Sequence, residues 1–137
     1  LLLRLKPRDK VVLVTDSIAG TGMPEGIINI QGRKFRFTEN EVRLLDGTLA
    51  GSVLTMDAAL RNLIEISAKP LEETFACAST NPARVIGIDG QTGSINTGLD
   101  ADLVLLNDDL QVQMTVVRGE IVYERGSESR KNSNINL

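Results

Sequence analysis

The segment Val11–Asp16, read VVLVTD, is a continuous apolar and β-branched run that ends on an acid, and the glycine-rich stretch Ser17–Gly26 follows it at once. Such an unalternating run predicts a buried parallel strand over Lys10–Thr15. Apolar alternation returns in Ile27–Ile30 and Lys34–Phe37 on either side of Gln31-Gly32, which predicts a hairpin. Val42–Leu45 adds a third short strand, Asp46-Gly47 a turn, and Gly47–Ser52 a loop of small residues. The period then becomes helical. Leu54, Ala58, Leu60, Leu63 and Ile64 fall near one face, and Ser52 or Thr55 is placed to cap the helix. Pro70 separates it from a second helix over Leu71–Ser79, with Leu71, Phe75, Ala76 and Ala78 as its apolar positions. Asn81-Pro82 reads as an N-cap followed by a first-turn proline, and Gly87 as the stop of that short helix. From Gly93 the pattern predicts strands at Ser94–Asn96, Leu103–Leu106, Val112–Arg118 and Glu120–Tyr123, the last two joined at Arg118-Gly119. The polar, Ser- and Asn-rich segment Gly126–Leu137 predicts a disordered tail.

The order is therefore a buried strand, a small β insertion, two or three helices and a run of strands, an α/β pattern. One strand followed by helices is a single unit of an α/β barrel, which needs eight such units and typically about 250 residues. Alone, the unit leaves strand edges unpaired and apolar faces wet. The chain also opens on Leu1 with no initiating methionine. Both features create the expectation of a piece of something longer.

Composition excludes more than it assigns. A length of 137 residues suits one domain, and 42% hydrophobic with 24% charged residues is ordinary for a globular protein. The net charge of −3 offers no basic footprint for nucleic acid. The apolar runs are too short to span a bilayer, and Leu1–Leu5 lacks the length and cleavage pattern of a signal peptide. A single cysteine, Cys77, excludes an internal disulfide, fits a reducing cytoplasm, and reads as a buried inert thiol. Histidine is absent altogether, which removes the commonest metal ligand and general base from this segment.

Two places carry candidate chemistry. Asp16 ends the first apolar run, and the carboxyl end of such a strand is where α/β barrels hold their reactive groups. An acid there also serves as a simple turn former. Leu49-Ala50-Gly51 has small residues that let a backbone approach a ligand, and it precedes a helix whose free N–H groups favour anions. An ordinary glycine loop capping a helix explains the same residues. Arg61 reads as a solvated helix residue, Thr15 as a strand residue, Asp102 as structural, and Asp108-Asp109 as a solvated turn.

Taken together, the motifs identify a family. Val14-Thr15-Asp16 with its glycine-rich sequel, Asp46–Ser52 (DGTLAGS), Leu54-Thr55-Met56 with Arg61-Asn62-Leu63, Ala78–Arg84 (ASTNPAR) and Gly98–Leu103 (GLDADL) occur in one order. In that order the chain resembles, over about residues 8 to 125, the C-terminal part of the N-acetylglucosamine-6-phosphate deacetylases of the amidohydrolase superfamily. The Asn-Pro-Ala-Arg and Gly-x-x-Ala-Asp-Leu stretches mark the superfamily. The Gly-Thr-Leu-Ala-Gly-Ser segment before Leu-Thr-Met marks the deacetylases.

The resemblance implies the C-terminal portion of a (β/α)8 metal-dependent hydrolase barrel plus strands of a small β-sandwich domain. Residues 1–92 would hold the last barrel strand, the β insertion and the closing helices, residues 93–125 the sandwich strands, and 126–137 the tail. It implies removal of acetate from N-acetylglucosamine 6-phosphate, with Asp16 as the catalytic acid–base and Leu49, Ala50 and Gly51 contacting the sugar phosphate. A divalent metal, zinc or iron, would lower the pKa of the attacking water, its Glu and two His ligands lying outside this chain. The implied partners are the amino-sugar phosphate, the missing N-terminal part and a second subunit of a homodimer, with no nucleic acid and no membrane, in the cytoplasm. The isolated chain would then be inactive. Two alternatives stand beside this: action on another N-acylated amino sugar, and a non-catalytic truncated or assembly module.

Overall fold

The computed structural model describes residues 2–38 and 41–127. In chain order its elements are α1 (Leu2–Leu5), a 3-10 turn (Arg8–Lys10), β1 (Gly26–Ile30), β2 (Arg33–Phe37), β3 (Val42–Leu44), β4 (Leu49–Gly51), α2 (Met56–Ser67), α3 (Leu71–Thr74), a second 3-10 turn (Phe75–Ala78), α4 (Thr80–Val85), β5 (Leu103–Leu106), β6 (Val112–Val117) and β7 (Glu120–Glu124). They form two compact units. One is Leu13–Ala68; the other joins the described residues up to Val12 with those from Lys69 onward.

The Leu13–Ala68 unit holds a four-stranded antiparallel sheet in the order β1-β2-β3-β4, and α2. The β1–β2 hairpin turns at Gln31-Gly32, whose positive φ angles of 51° and 83° are the left-handed pair that a two-residue hairpin needs. Phe37, Val42, Ala59 and Leu60 form the buried apolar core of this unit. Helix α2 starts after Thr55, which takes the extended N-cap conformation, and stops at Ala68, which is left-handed at φ 53°. Of the face the periodicity predicts, Leu60 is buried and Ala58, Leu63 and Ile64 are half-buried; Ala59 is buried beside them, Leu54 precedes the helix, and Ile66 is exposed.

In the other unit α3, the second 3-10 turn and α4 precede a three-stranded antiparallel sheet, β5-β6-β7. The β6–β7 hairpin turns at Arg118-Gly119, with φ 50° and 85°. Cys77 and Thr74 are fully buried, and burial pushes the Cys77 thiol pKa up, in keeping with an unreactive thiol. Asp102 accepts hydrogen bonds from Arg118 N (2.8 Å) and Thr92 Oγ1 (3.2 Å), a structural role.

Several expectations change. The stretch Lys10–Thr15 is not a strand: among the described residues no ladder pairs with it, and Val14 is 68% exposed. Propensity alone cannot make a strand whose hydrogen-bonding neighbours are lacking. The helix expected over Leu71–Ser79 is one α turn followed by a 3-10 turn. Ser94–Asn96 forms no strand. Asn81 is not the cap of α4, which begins one residue earlier after Ser79. It is instead buried, and its side-chain amide donates to both Arg8 O and Val11 O at 2.7 Å. Of the tail expected over 126–137, residues 128–137 lie outside the described residues.

Candidate active site

The segment that carries Asp16 is fastened by backbone hydrogen bonds to the residues after β4. Ser52 N donates to Asp16 O (3.1 Å) and Ile18 N donates to Ser52 O (3.2 Å), a single parallel bridge between Ser17 and Ser52. Asp16 itself is left-handed, at φ 54°. A non-glycine residue holds that conformation only when its surroundings enforce it, and such residues concentrate at functional sites.

An open hollow of about 470 Å³ lies at this junction, lined by Asp16, Glu41, Leu49, Ala50, Gly51 and Ser52. The four residues singled out in the sequence thus line one hollow, all within the Leu13–Ala68 unit. Leu49, Ala50 and Gly51 are strand β4 rather than a loop, because Asp46-Gly47 folds the chain back onto β3, with Val42 opposite Gly51 and Arg43 opposite Leu49. Thr48 N donates to Asp46 Oδ1 (2.9 Å), which shapes that turn. The segment contributes small residues and backbone to the wall, as a ligand-contacting strand would. Gly51 sits at φ 152°, and a Cβ added there would run into Ile18 Cγ2.

The two carboxylates in the hollow differ. Glu41 is held by Arg43 through two hydrogen bonds, Nε to Oε1 at 2.6 Å and Nη2 to Oε2 at 2.8 Å. These bonds hold its pKa below the usual carboxylate range. The Asp16 carboxylate is exposed, and among the described residues no group donates a hydrogen bond to it. Glu41 and Ser52 had no chemical role in the sequence reading. Only the β2–β3–β4 pairing brings Glu41 beside the hollow, and no local signal announces it. Arg61 pairs with Asp57 at 2.8 Å one turn along α2, as a solvated helix residue would.

Among the described residues no group of three His, Cys, Asp or Glu side chains could hold a metal ion. Among the described residues no helix is long and apolar enough to cross a membrane.

The sequence profile of the amidohydrolase family matches residues 4–122. A protein of Escherichia coli (strain K12), provisionally named N-acetylgalactosamine-6-phosphate deacetylase, is 37% identical over 114 residues, which are 83% of this chain and 68% of that protein. The N-acetylglucosamine-6-phosphate deacetylase of Lysinibacillus sphaericus is 37% identical over 118 residues, 86% of this chain and 30% of the relative. Among solved structures, the N-acetylglucosamine-6-phosphate deacetylase of Thermotoga maritima superposes with a TM-score of 0.77 at 36% identity, covering 90% of this chain and 34% of that one. That of Pasteurella multocida gives 0.75 at 32%, covering 82% and 30%. The chain thus spans about a third of the length of these solved relatives. Amidohydrolases are generally metal-dependent. With its profile matched over residues 4–122, the chain belongs to the amidohydrolase family.

Proposed function

We propose that the complete protein carrying this chain hydrolyses the acetamide of N-acetylglucosamine 6-phosphate to glucosamine 6-phosphate and acetate. The observation that carries this is the hollow in which Asp16, a carboxylate free to accept a proton, lies with Leu49, Ala50 and Gly51. In the proposed step water attacks the acetyl carbonyl carbon while Asp16 takes its proton. The C–N bond then breaks as Asp16 returns the proton to the departing amine. Leu49–Gly51 contacts the sugar phosphate.

We further infer that residues 1–92 complete a (β/α)8 barrel and that residues 93–125 complete a small β-sandwich. The exposed apolar Val14, and Leu103, Val104, Leu105, Ile121 and Val122 of the three-stranded sheet, support this, since each awaits a covering neighbour. The metal, zinc or iron, takes its ligands from the rest of the protein. The resemblance also supports a homodimer working in the cytoplasm.

A second reading, N-acetylgalactosamine 6-phosphate as substrate, is favoured by the names of the two Escherichia coli relatives, each 37% identical to this chain. Steady-state assays of the complete protein with both sugar phosphates and with unphosphorylated N-acetylglucosamine discriminate. The first reading expects the highest kcat/KM with N-acetylglucosamine 6-phosphate. A preference for the galacto epimer selects the second, and no turnover of any acetylated amino sugar overturns both.

A further inference from the structure

The turn at Asp16 has a second anchor besides its backbone bridge. The Ser17 hydroxyl donates to Leu54 O, just ahead of the Thr55 cap of α2. Leu54 N donates in turn to Ser52 Oγ at 2.7 Å, and Ser52 N donates to Asp16 O at 3.1 Å. Ser17, Leu54 and Ser52 therefore close a hydrogen-bonded loop that begins and ends beside Asp16. The far side of this loop is fixed, because α2 buries Ala59 and Leu60 in the core. The near side holds a non-glycine residue at φ 54°, a conformation that needs external restraint. Two of the three links survive any side chain at position 17; the direct link from that position to Leu54 O exists only through a hydroxyl.

We propose that Ser17 is a positioning residue that aims the Asp16 carboxylate into the hollow by tethering its turn to the start of α2. The inference rests on the proposed role of Asp16 as proton acceptor. Ser17 is exposed, so water can replace its hydroxyl at Leu54 O when the side chain is removed. The fold then persists while the carboxylate loses its aim.

The test uses the complete protein carrying this chain, with N-acetylglucosamine 6-phosphate as substrate. In Ser17→Ala, kcat falls about tenfold to a hundredfold, the scale of a small misplacement of a reacting group, while KM and melting temperature stay near those of the parent. Ser17→Thr, which keeps the hydroxyl, restores most of kcat. Asp16→Asn is run beside them. If Asp16→Asn loses turnover but Ser17→Ala keeps its full kcat, the tether is overturned and the role of Asp16 stands. If Asp16→Asn itself keeps near-normal kcat, the reading of Asp16 falls and the tether falls with it. A Ser17→Ala loss that tracks a lower melting temperature and is not rescued by Thr also overturns the tether, leaving Ser17 a structural residue.

Discussion

Two apolar, β-branched runs in this chain meet different fates. Val112–Val117 becomes β6, paired antiparallel on both sides, with β5 and with β7. Val11–Asp16 is equally rich in valine and makes no ladder among the described residues. The partners of β6 are close in sequence: β7 follows after Arg118-Gly119, and β5 precedes it by the turn in which Asn107 Oδ1 accepts from Gln111 N (2.8 Å). Antiparallel neighbours need only such turns, whereas a parallel neighbour arrives through a crossover of a dozen or more residues. The boundary between the two compact units even falls inside the unpaired run, between Val12 and Leu13. Ladder hydrogen bonds stabilise the first run; the second carries the candidate chemistry at its end. Stability and function are thus expected to separate between them.

The sharpest attempt to break this separation is Asp16→Asn in the complete protein. The amide matches the carboxylate in shape but cannot accept the proton, so kcat should fall at least about a hundredfold, the usual scale for a positioned acid–base group. The melting temperature should not move, since no described group hydrogen-bonds the side chain. Near-normal kcat would return Asp16 to a turn-forming role.

Gly51→Val attacks the residue next to the parallel bridge of Ser17 and Ser52. Its Cβ would collide with Ile18 Cγ2 at a φ of 152°, so urea unfolding should show a loss of about 3 kcal/mol from overpacking and backbone strain together. KM for the sugar phosphate should rise at least about tenfold, roughly 1.4 kcal/mol of binding. Unchanged stability and KM would show that Ile18 yields and that the glycine serves neither purpose.

Asn81→Ala removes the two bonds that hold the approach to the unpaired run; Val11 O loses this donor, while Arg8 O keeps only the long bond from Val11 N (3.5 Å). The expected cost is about 2 kcal/mol by urea unfolding, within the range for orphaned buried polar groups. A neutral variant would mean that water reaches Arg8 O and Val11 O as well as the amide does. In the paired region, Gly119→Val meets no atom within 4 Å but must still adopt φ 85°. It should cost about 1 kcal/mol, the left-handed penalty alone. A loss as large as that of Gly51→Val would erase the contrast between the two sites.

The smallest effect concerns Asp57 at the start of α2. Burial pushes its carboxyl pKa up, but hydrogen bonds from Thr55 and Arg61 and the nearby Arg61 charge outweigh this and hold it below the usual value. A depressed carboxylate stabilises the fold above its unfolded pKa of about 3.9, and that stabilisation is lost as pH falls through the lower folded value. Asp57→Asn should therefore cost about 0.5 kcal/mol at neutral pH, the scale of an exposed helix ion pair. The difference should shrink in urea titrations as pH falls below the unfolded value of about 3.9. A gap that persists in acid would rule out the charge as its cause.

By itself the sequence determined the features whose causes are local. Gln31-Gly32 and Arg118-Gly119 mark the β1–β2 and β6–β7 hairpins because two left-handed residues in a row demand such pairs. The 3.6-residue period locates α2, and the buried Cys77 follows from its apolar neighbours. The family, too, was legible in the ordered motifs, matched over residues 4–122. Tertiary structure alone decided what depends on distant partners. Leu49–Gly51 is a strand because β3 lies beside it, although its composition reads as a loop. Asn81 looks like a cap, yet it reaches Arg8 and Val11 some seventy residues away. Ser17 and Ser52 share a bridge beside Asp16, and Glu41 joins the hollow there, only because the sheet folds the chain back on itself. Turn and helix preferences act within a few residues and are written in the chain; pairing across long loops is settled by hydrogen bonds and packing that no short stretch of sequence encodes.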